Sequence, residues 1–462
     1  MAASLRPAPS RLPPSPPGAN PLLSAPILPT LLRFAAPNLG AMLAAAAAAV
    51  AETAYVGQLG TPALAGMALA FPMVMLQQMM SAGAMGGGVS SAVSRALGAG
   101  DTARAAALAA HAMWIGIGAG LALTALFLLG GRLLYTLLGG RGAALEAALA
   151  YSNVAFCGSV GIWLTNTFAA VIRGGGNMKV PSATVFAVAA TQVLVGGALG
   201  LGWGPLPALG MPGIAAGQVV AYTLGALVLF LHLRSGRARV RLQPARVRLA
   251  AAQFRDILRV GAVALVSPLQ TVLTILILTR LIAHFGVEAL AGYGIGTRLE
   301  FLLVPLAFSF GVASVPLVGM AVGAGMAARA RRVAWTAGAL AGTALTVLGV
   351  TLALVPALWG RNFSDDPAVL AAAASYFRWA GPCYGLLGMG LSLYFSSLGA
   401  GHAVGPVLAG TVRLLVVAGG AWALAALAAP AWTVYALIGA GMAVLGLGTA
   451  LAVHRTDWSA RR

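Results

Sequence analysis

The chain has 462 residues, 60% of them hydrophobic and only 8% charged; nine acidic residues against 28 basic ones leave a formal net charge of +19. An ordinary soluble chain is about a quarter charged. These proportions, with a mean hydropathy of +0.91, exclude a single water-soluble globular domain and leave a polytopic membrane protein.

In chain order, residues 1–30 are Pro-rich and predict a disordered tail, with no uninterrupted apolar core of the kind a secretory signal needs. Apolar stretches long enough to cross about 30 Å of hydrocarbon follow. They lie at 31–57, 62–94, 106–130, 147–172, 180–202, 211–233, 256–284, 288–320, 333–359, 368–398, 404–428 and 431–453. An all-α fold of twelve transmembrane helices is expected. The 61 glycines suit helices that pack through small residues, and the dyad alternation of a transmembrane β-barrel is absent. Cys157 and Cys383 sit inside apolar runs and predict neither a disulfide framework nor a metal site.

The basic residues sit mostly between the apolar runs, which reads as membrane orientation; no nucleic-acid partner is expected. With the N-terminus inside, the inner segments carry Arg6, Arg11, Arg33, Arg95, Arg104, Arg173 and Lys179. The middle segment 234–255 adds Arg234, Arg237, Arg239, Arg241, Arg246, Arg248 and Arg255, and later ones add Arg329, Arg331, Arg332, Arg455, Arg461 and Arg462. The outer loops hold only Arg132, Arg141 and Arg361. The positive-inside rule then puts both termini in the cytoplasm.

The chain repeats itself. Gly60–Gly66 matches Gly286–Gly292, and Gly98–Ala99–Gly100 matches Gly323–Ala324–Gly325. Gly174, Gly176 and Pro181 match Gly399, Gly401 and Pro406. The second and third matches share one offset, and the first exceeds it by a single position. A near-constant period marks a duplicated unit. It predicts two six-helix lobes, 31–233 and 256–453, joined by the Arg-rich linker 234–255 and followed by a short tail, 454–462. Halves of one orientation, related by an axis along the membrane normal, are a transporter plan with the substrate path between them.

At these residues the chain resembles the multidrug and toxic compound extrusion (MATE) family. The run Ala51–Glu52–Thr53–Ala54–Tyr55–Val56–Gly57–Gln58–Leu59–Gly60 is similar to that family's acidic–Thr–x–aromatic–Val–Gly–x–Leu–Gly signature. The turns Gly98–Asp101 and Arg173–Asn177 also match, as do Ala289–Tyr293 and Gly323–Gly325 in the second half. The resemblance covers roughly residues 31–450. It implies a secondary antiporter of the cell's inner (plasma) membrane that exports amphipathic, often cationic, organic compounds in exchange for H⁺ or Na⁺, by rocking of two lobes around a V-shaped cavity. It implies small-molecule substrates and membrane lipids as partners, a monomer, and no cofactor beyond the coupling ion. Two departures stand out. The Asn–x–x–x–Asp pair that many members carry in the fifth helix aligns with Gln192 and Gly196. Helices 7 and 10 show Ser267, Pro268, Gln270 and Thr271, and Cys383 and Tyr384, where another branch has acids.

Outside loops and termini, two acids remain within spans, Glu52 and Glu300. An ionised carboxylate at mid-membrane costs at least about 2.5–3.5 kcal/mol, so each needs neutralising, pairing or solvation. A carboxyl group poised between its two forms takes up and releases a proton, as ion-coupled transport requires. Glu52 is the expected carrier, with Tyr55 one turn along and Gln192 at the family position. Glu300, two residues from Arg298, is expected to pair structurally. Gln77, Asn166, Gln218, Gln270 and Thr271 are the further candidates, with Glu300, to line the cavity. Arg280, Arg378 and Arg413 read as interfacial anchors. Met73, Met75, Met79, Met80 and Met85 read as core filling or as an adaptable wall. No catalytic constellation is read, and no GxxxxGK[ST] loop is present, which excludes ATP-driven transport by this chain alone. A lipid-linked or polysaccharide precursor flippase of related fold is the alternative. The concentration of arginines on one face, away from the cavity, disfavours it.

Overall fold

The computed structural model describes residues 21–243 and 247–458. Stretches that are apolar all round satisfy their backbone groups internally in the only open-ended way a bilayer allows, and every regular element is helical. The first half contains α1 (Ile27–Gln58), α2 (Thr61–Gln78), α3 (Gly86–Gly98), α4 (Thr102–Leu137), α5 (Gly142–Cys157), α6 (Ser159–Gly174), α7 (Lys179–Leu201) and α8 (Met211–Arg234). The second contains α9 (Ala251–Ala264), α10 (Val266–Ala283), α11 (Val287–Gly323), α12 (Ala327–Leu354), the single turn α13 (Ala357–Gly360), α14 (Pro367–Ala380), α15 (Tyr384–Gly399), α16 (Val404–Ala426) and α17 (Ala431–Arg455).

Ten helices among the described residues are long and apolar enough to cross a membrane, α2 with α3 and α9 with α10 counting as one each, and the pair α5–α6, bent by 48°, makes an eleventh. The twelfth is α14–α15, interrupted by the 3₁₀ turn Gly381–Cys383. It stands one repeat beyond its counterpart, Pro367–Gly399 against Gly142–Gly174, and breaks where the counterpart breaks, at Cys383 against Gly158. Helix α7 and helix α16 obey the same offset at both ends. The duplication is therefore structural as well as textual, and Gly60 and Gly286 even share a φ of 100° at the turns before α2 and α11.

One residue breaks the period. The segment Thr61–Gly98 has 38 residues and its counterpart α11 has 37. Between α2 and α3 the chain makes a π-helical stretch, Met79–Met85, and such a turn is how a helix absorbs one inserted residue without losing its axis. The shortening of the offset by one position thus has a physical location.

Three expected boundaries move. Residues 21–30 belong to the fold: Leu22 and Leu23 pack into a cluster with α11 and α12, and α1 starts at Ile27 behind Pro26. Residues 1–20 of the expected tail lie outside the described residues. At the other end α17 continues to Arg455 and Trp458 is buried in the same cluster, while 459–462 are outside the description. The linker is a strap, since Val240 and Leu242 are buried against the first half and α9 begins at Ala251. His111 pins that strap, its Nε2 accepting the Ala250 N–H at 2.9 Å while its Nδ1 faces the Ala107 carbonyl at 2.7 Å. The apolar residues buried by these segments outweigh the Pro and Arg content that makes them read as loops.

Core clusters show how the lobes meet. Toward the loops that join α1 to α2 and α10 to α11, each cluster stays in one half: Val56 to Ala215 in the first, Leu278 to Met442 in the second. Toward the end carrying both described termini, the clusters mix the halves. There the start of α1 packs with α11 and α12, and Ile257 of α9 packs into the first half. The lobes share their apolar core at the termini end and keep separate cores toward the other.

Candidate functional site

In the first lobe, Glu52 of α1 is 4% exposed and its Oε1 has no hydrogen-bond partner. Gln192 of α7 lies beside its carboxyl group, and Tyr151 of α5 and Tyr222 of α8 stand within electrostatic reach of it. Tyr151 donates to Gln218 Oε1 at 3.4 Å. Gln78 donates to the Tyr222 hydroxyl at 2.7 Å, and Asn166 donates to Gln78 Oε1 at 3.2 Å and to Ser81 Oγ at 2.8 Å. A polar centre drawn from six helical segments thus surrounds one carboxyl group. It holds four of the expected residues: Glu52, Gln192, Gln218 and Asn166.

Close packing of α7 on α8 brings Gln192 and Gln218 together. A Cβ on Gly217 would lie 2.4 Å from the Gly196 Cα, and one on Gly196 would lie 3.2 Å from the Ile214 carbonyl oxygen. Position 196, where the resemblance implies a second carboxylate, is here a helix contact. Glycine at 217 permits that approach, and a Cβ at 196 would press on the Ile214 carbonyl oxygen.

Other candidates fall elsewhere. Tyr55 packs edge-on against Trp203, ring centres 5.7 Å apart. Gln77 is 2% exposed and its Nε2 has no partner; its neighbour Gln78 enters the network. Gln270 clamps α10 to α16, donating to Thr411 Oγ1 at 2.7 Å. Thr271 donates to its own helix, to the Ser267 carbonyl at 3.0 Å. Met85, Met80 and Met73 fill core clusters.

The second lobe has its own polar centre. Glu300 accepts from the Tyr376 hydroxyl, which accepts in turn from Tyr384 at 3.1 Å. Arg413 and Tyr293 stand within electrostatic reach of Glu300, and Arg413 Nε is buried without a partner. The expected Arg298 partnership is not made: that guanidinium sits over the Phe363 ring, 5.1 Å from its centre. Tyr151 and Tyr376 occupy equivalent positions in the two repeats, so each lobe builds its polar centre on the same tyrosine. Neither is among the candidates that residue type alone suggests, and the repeat is the signal in the sequence that marks them.

At the termini end the halves touch reciprocally. A Cβ on Gly98 would lie 2.2 Å from the Met320 carbonyl oxygen, and one on Gly323 would lie 2.0 Å from the Arg95 carbonyl oxygen. Each pair is the other's duplicate, as a two-fold axis along the membrane normal requires. Polar contacts latch this end. Asp256 of α9 bridges Arg95 Nη2 and Arg104 Nη2, both at 2.8 Å. Arg95 also donates to Ser91 Oγ, and Ser91 donates to the carbonyls of Leu398 and Gly399 that end α15.

The same fold is found in solved structures. One described as the outward-facing conformation of a multidrug resistance MATE family transporter of the MOP superfamily superposes with a TM-score of 0.84 at 21% identity, covering 94% of this chain and 97% of that one. A MOP superfamily transporter from Pyrococcus furiosus, with a binding pocket described as reversed in polarity, gives 0.85 at 20% identity over the same shares. Among curated proteins, a FAD transporter of Shewanella oneidensis is 27% identical over 390 residues, 82% of this chain and 84% of its own length. A probable multidrug resistance protein NorM of Thermotoga maritima is 26% identical over 341 residues, 74% and 73% of the two chains. The MatE family model matches residues 37–196 and 262–423, two stretches that start one repeat apart and fall one in each lobe. With its duplicated six-helix lobes and its family match agreeing, the chain belongs to the MatE family of membrane transporters.

Proposed function

We propose that this transporter exports amphipathic organic compounds, cationic ones among them, across the cytoplasmic membrane in exchange for H⁺ or Na⁺. Both termini face the cytoplasm and a single chain is the working unit. The observation that carries the reading is the Glu52 carboxyl group, buried with one oxygen unpartnered at the centre of the first lobe's polar network. An ionised carboxylate there is costly, and protonation relieves that cost, so the state of one proton biases the packing of α1 against α7 and α8. Since α1 leans on the second lobe near its start and on the first near its end, such a bias reaches the lobe interface.

Uptake of a cationic dye into inverted vesicles, under separately imposed H⁺ and Na⁺ gradients, tests this. Dye accumulation under an inward-acidic gradient, abolished by Glu52→Gln in protein that still reaches the membrane, is expected. Retained accumulation in that variant removes Glu52 from the mechanism, and accumulation under neither gradient removes the antiporter reading. A second reading, a dinucleotide cargo, is favoured by the FAD transporter relative, 84% of whose length aligns with this chain. Flavin adenine dinucleotide in the same vesicles is the discriminating arm.

A further inference from the structure

Apart from the two polar centres, the termini end holds a cavity of about 700 Å³ between the start of α12 and the segment after α17. Arg331, Arg332 and Trp335 line it from one side, and Thr456, Asp457 and Trp458 from the other. Helices α12 and α17 each pack on α15, and these side chains occupy the gap between them at its mouth.

Three features point to an anionic ligand that is part lipid. First, two adjacent guanidinium groups face one carboxylate, so the lining is net positive. The neighbouring Arg329 is committed elsewhere, its Nη2 donating to the Leu22 carbonyl at 3.0 Å. Arg331 touches His454 Nδ1 at 3.2 Å through one of its donors; a guanidinium has five, in a fork that fits phosphate oxygens. Second, Trp458 is 6% exposed, yet its indole Nε1–H has no acceptor. Buried indole N–H groups ordinarily find one. Third, the site sits where a helix enters the bilayer, between tryptophans of the kind that mark the headgroup layer, and Leu447 and Leu451 of α17 stay 57% and 50% exposed below it. Basic pockets between transmembrane helices take phospholipid headgroups on this principle.

We propose that this cavity binds the phosphate of an anionic phospholipid, with Arg331 and Arg332 holding the phosphate oxygens, the Trp458 N–H donating to the headgroup, and the acyl chains lying along α17. The proposal needs only the membrane placement of the helices, and stands or falls apart from the cargo and the coupling ion. Purified full-length protein in detergent is titrated with phosphatidylglycerol, with phosphatidylcholine, and with inorganic phosphate alone, while native mass spectrometry counts retained lipid and a thermal scan follows the midpoint. Phosphatidylglycerol is expected to be retained one per chain and to raise the midpoint, where phosphatidylcholine and inorganic phosphate do not. Replacing both arginines with Gln should weaken retention about tenfold or more, since two phosphate contacts are lost. Trp458→Phe keeps the ring and removes only the N–H, so a folded variant with weaker retention is expected even if the double arginine variant is unstable. Retention unchanged in both variants, or equal stabilisation by phosphatidylcholine, overturns the proposal. Equal stabilisation by inorganic phosphate alone overturns the lipid assignment and leaves an anion site.

Discussion

Asp256 holds two arginines of the other half at the termini end, and replacing it by Asn should release that end. Arg95 and Asp256 are 19% and 22% exposed at their side chains, whereas Arg104 is 54% exposed. An exposed pair contributes about 0–1 kcal/mol, and breaking a fully buried one costs about 3–5 kcal/mol. A pair one-fifth exposed lies between, so about 2 kcal/mol of the joined arrangement depends on Asp256, the Arg104 contact adding a few tenths. At about 1.4 kcal/mol per factor of ten, the ratio of joined to parted lobes should fall by about thirtyfold. Asp256→Asn keeps the side-chain volume, and the loss is one of charge. Spin labels at Thr102→Cys and Ala328→Cys, both exposed at the starts of α4 and α12, report the separation of the lobes in a Cys157→Ser, Cys383→Ser background. Double electron–electron resonance should show a longer-distance population in Asp256→Asn that is rare in the parent. A ratio within twofold of the parent's would refute the reasoning, and the closure would then rest on the glycine contacts, the Ser91 hydrogen bonds and the shared apolar clusters.

Those contacts give a second test. Gly98→Val places a side chain 2.2 Å from the Met320 carbonyl oxygen, so the same label pair should report parted lobes and transport should cease; Gly118→Val, with nothing within 4 Å of its Cβ, should leave both unchanged. In the second lobe, Tyr376→Phe removes the donor to Glu300 and the acceptor for Tyr384. It should lower stability by about 1–3 kcal/mol, the cost of buried polar groups left unpaired, seen as a lower thermal midpoint in detergent.

The spans, the duplication and the isolation of Glu52 are legible in the sequence because length, period and a lone acid in an apolar run need no knowledge of which way a helix faces. Rotational phase is the difficulty. Helices that are apolar all round carry no stripe to orient them, so Gln77 and Gln78 are equivalent on paper, and only packing sends Gln78 to Tyr222 and Asn166. Arg298 is the nearest cation to Glu300 along the chain, but residues two apart on a helix point to different sides. Tyr376, on another helix, is the donor. Charge and proline content make 21–30, 234–243 and 456–458 read as loose ends. Their apolar side chains Leu22, Val240, Leu242 and Trp458 are buried against the bundle instead.

The π-helical stretch Met79–Met85 sets which way the helix beyond it faces. Each residue gained or lost along this span turns all that follows by about 100° about the helix axis. Ser81, Gln78 and Asn166 could then no longer meet, and the glycines that seat α3 on α11 would face away. The irregularity therefore sets how α3 is turned against α11 apart from the helix before it, so the glycine seat and the polar centre each keep their own phase along one span.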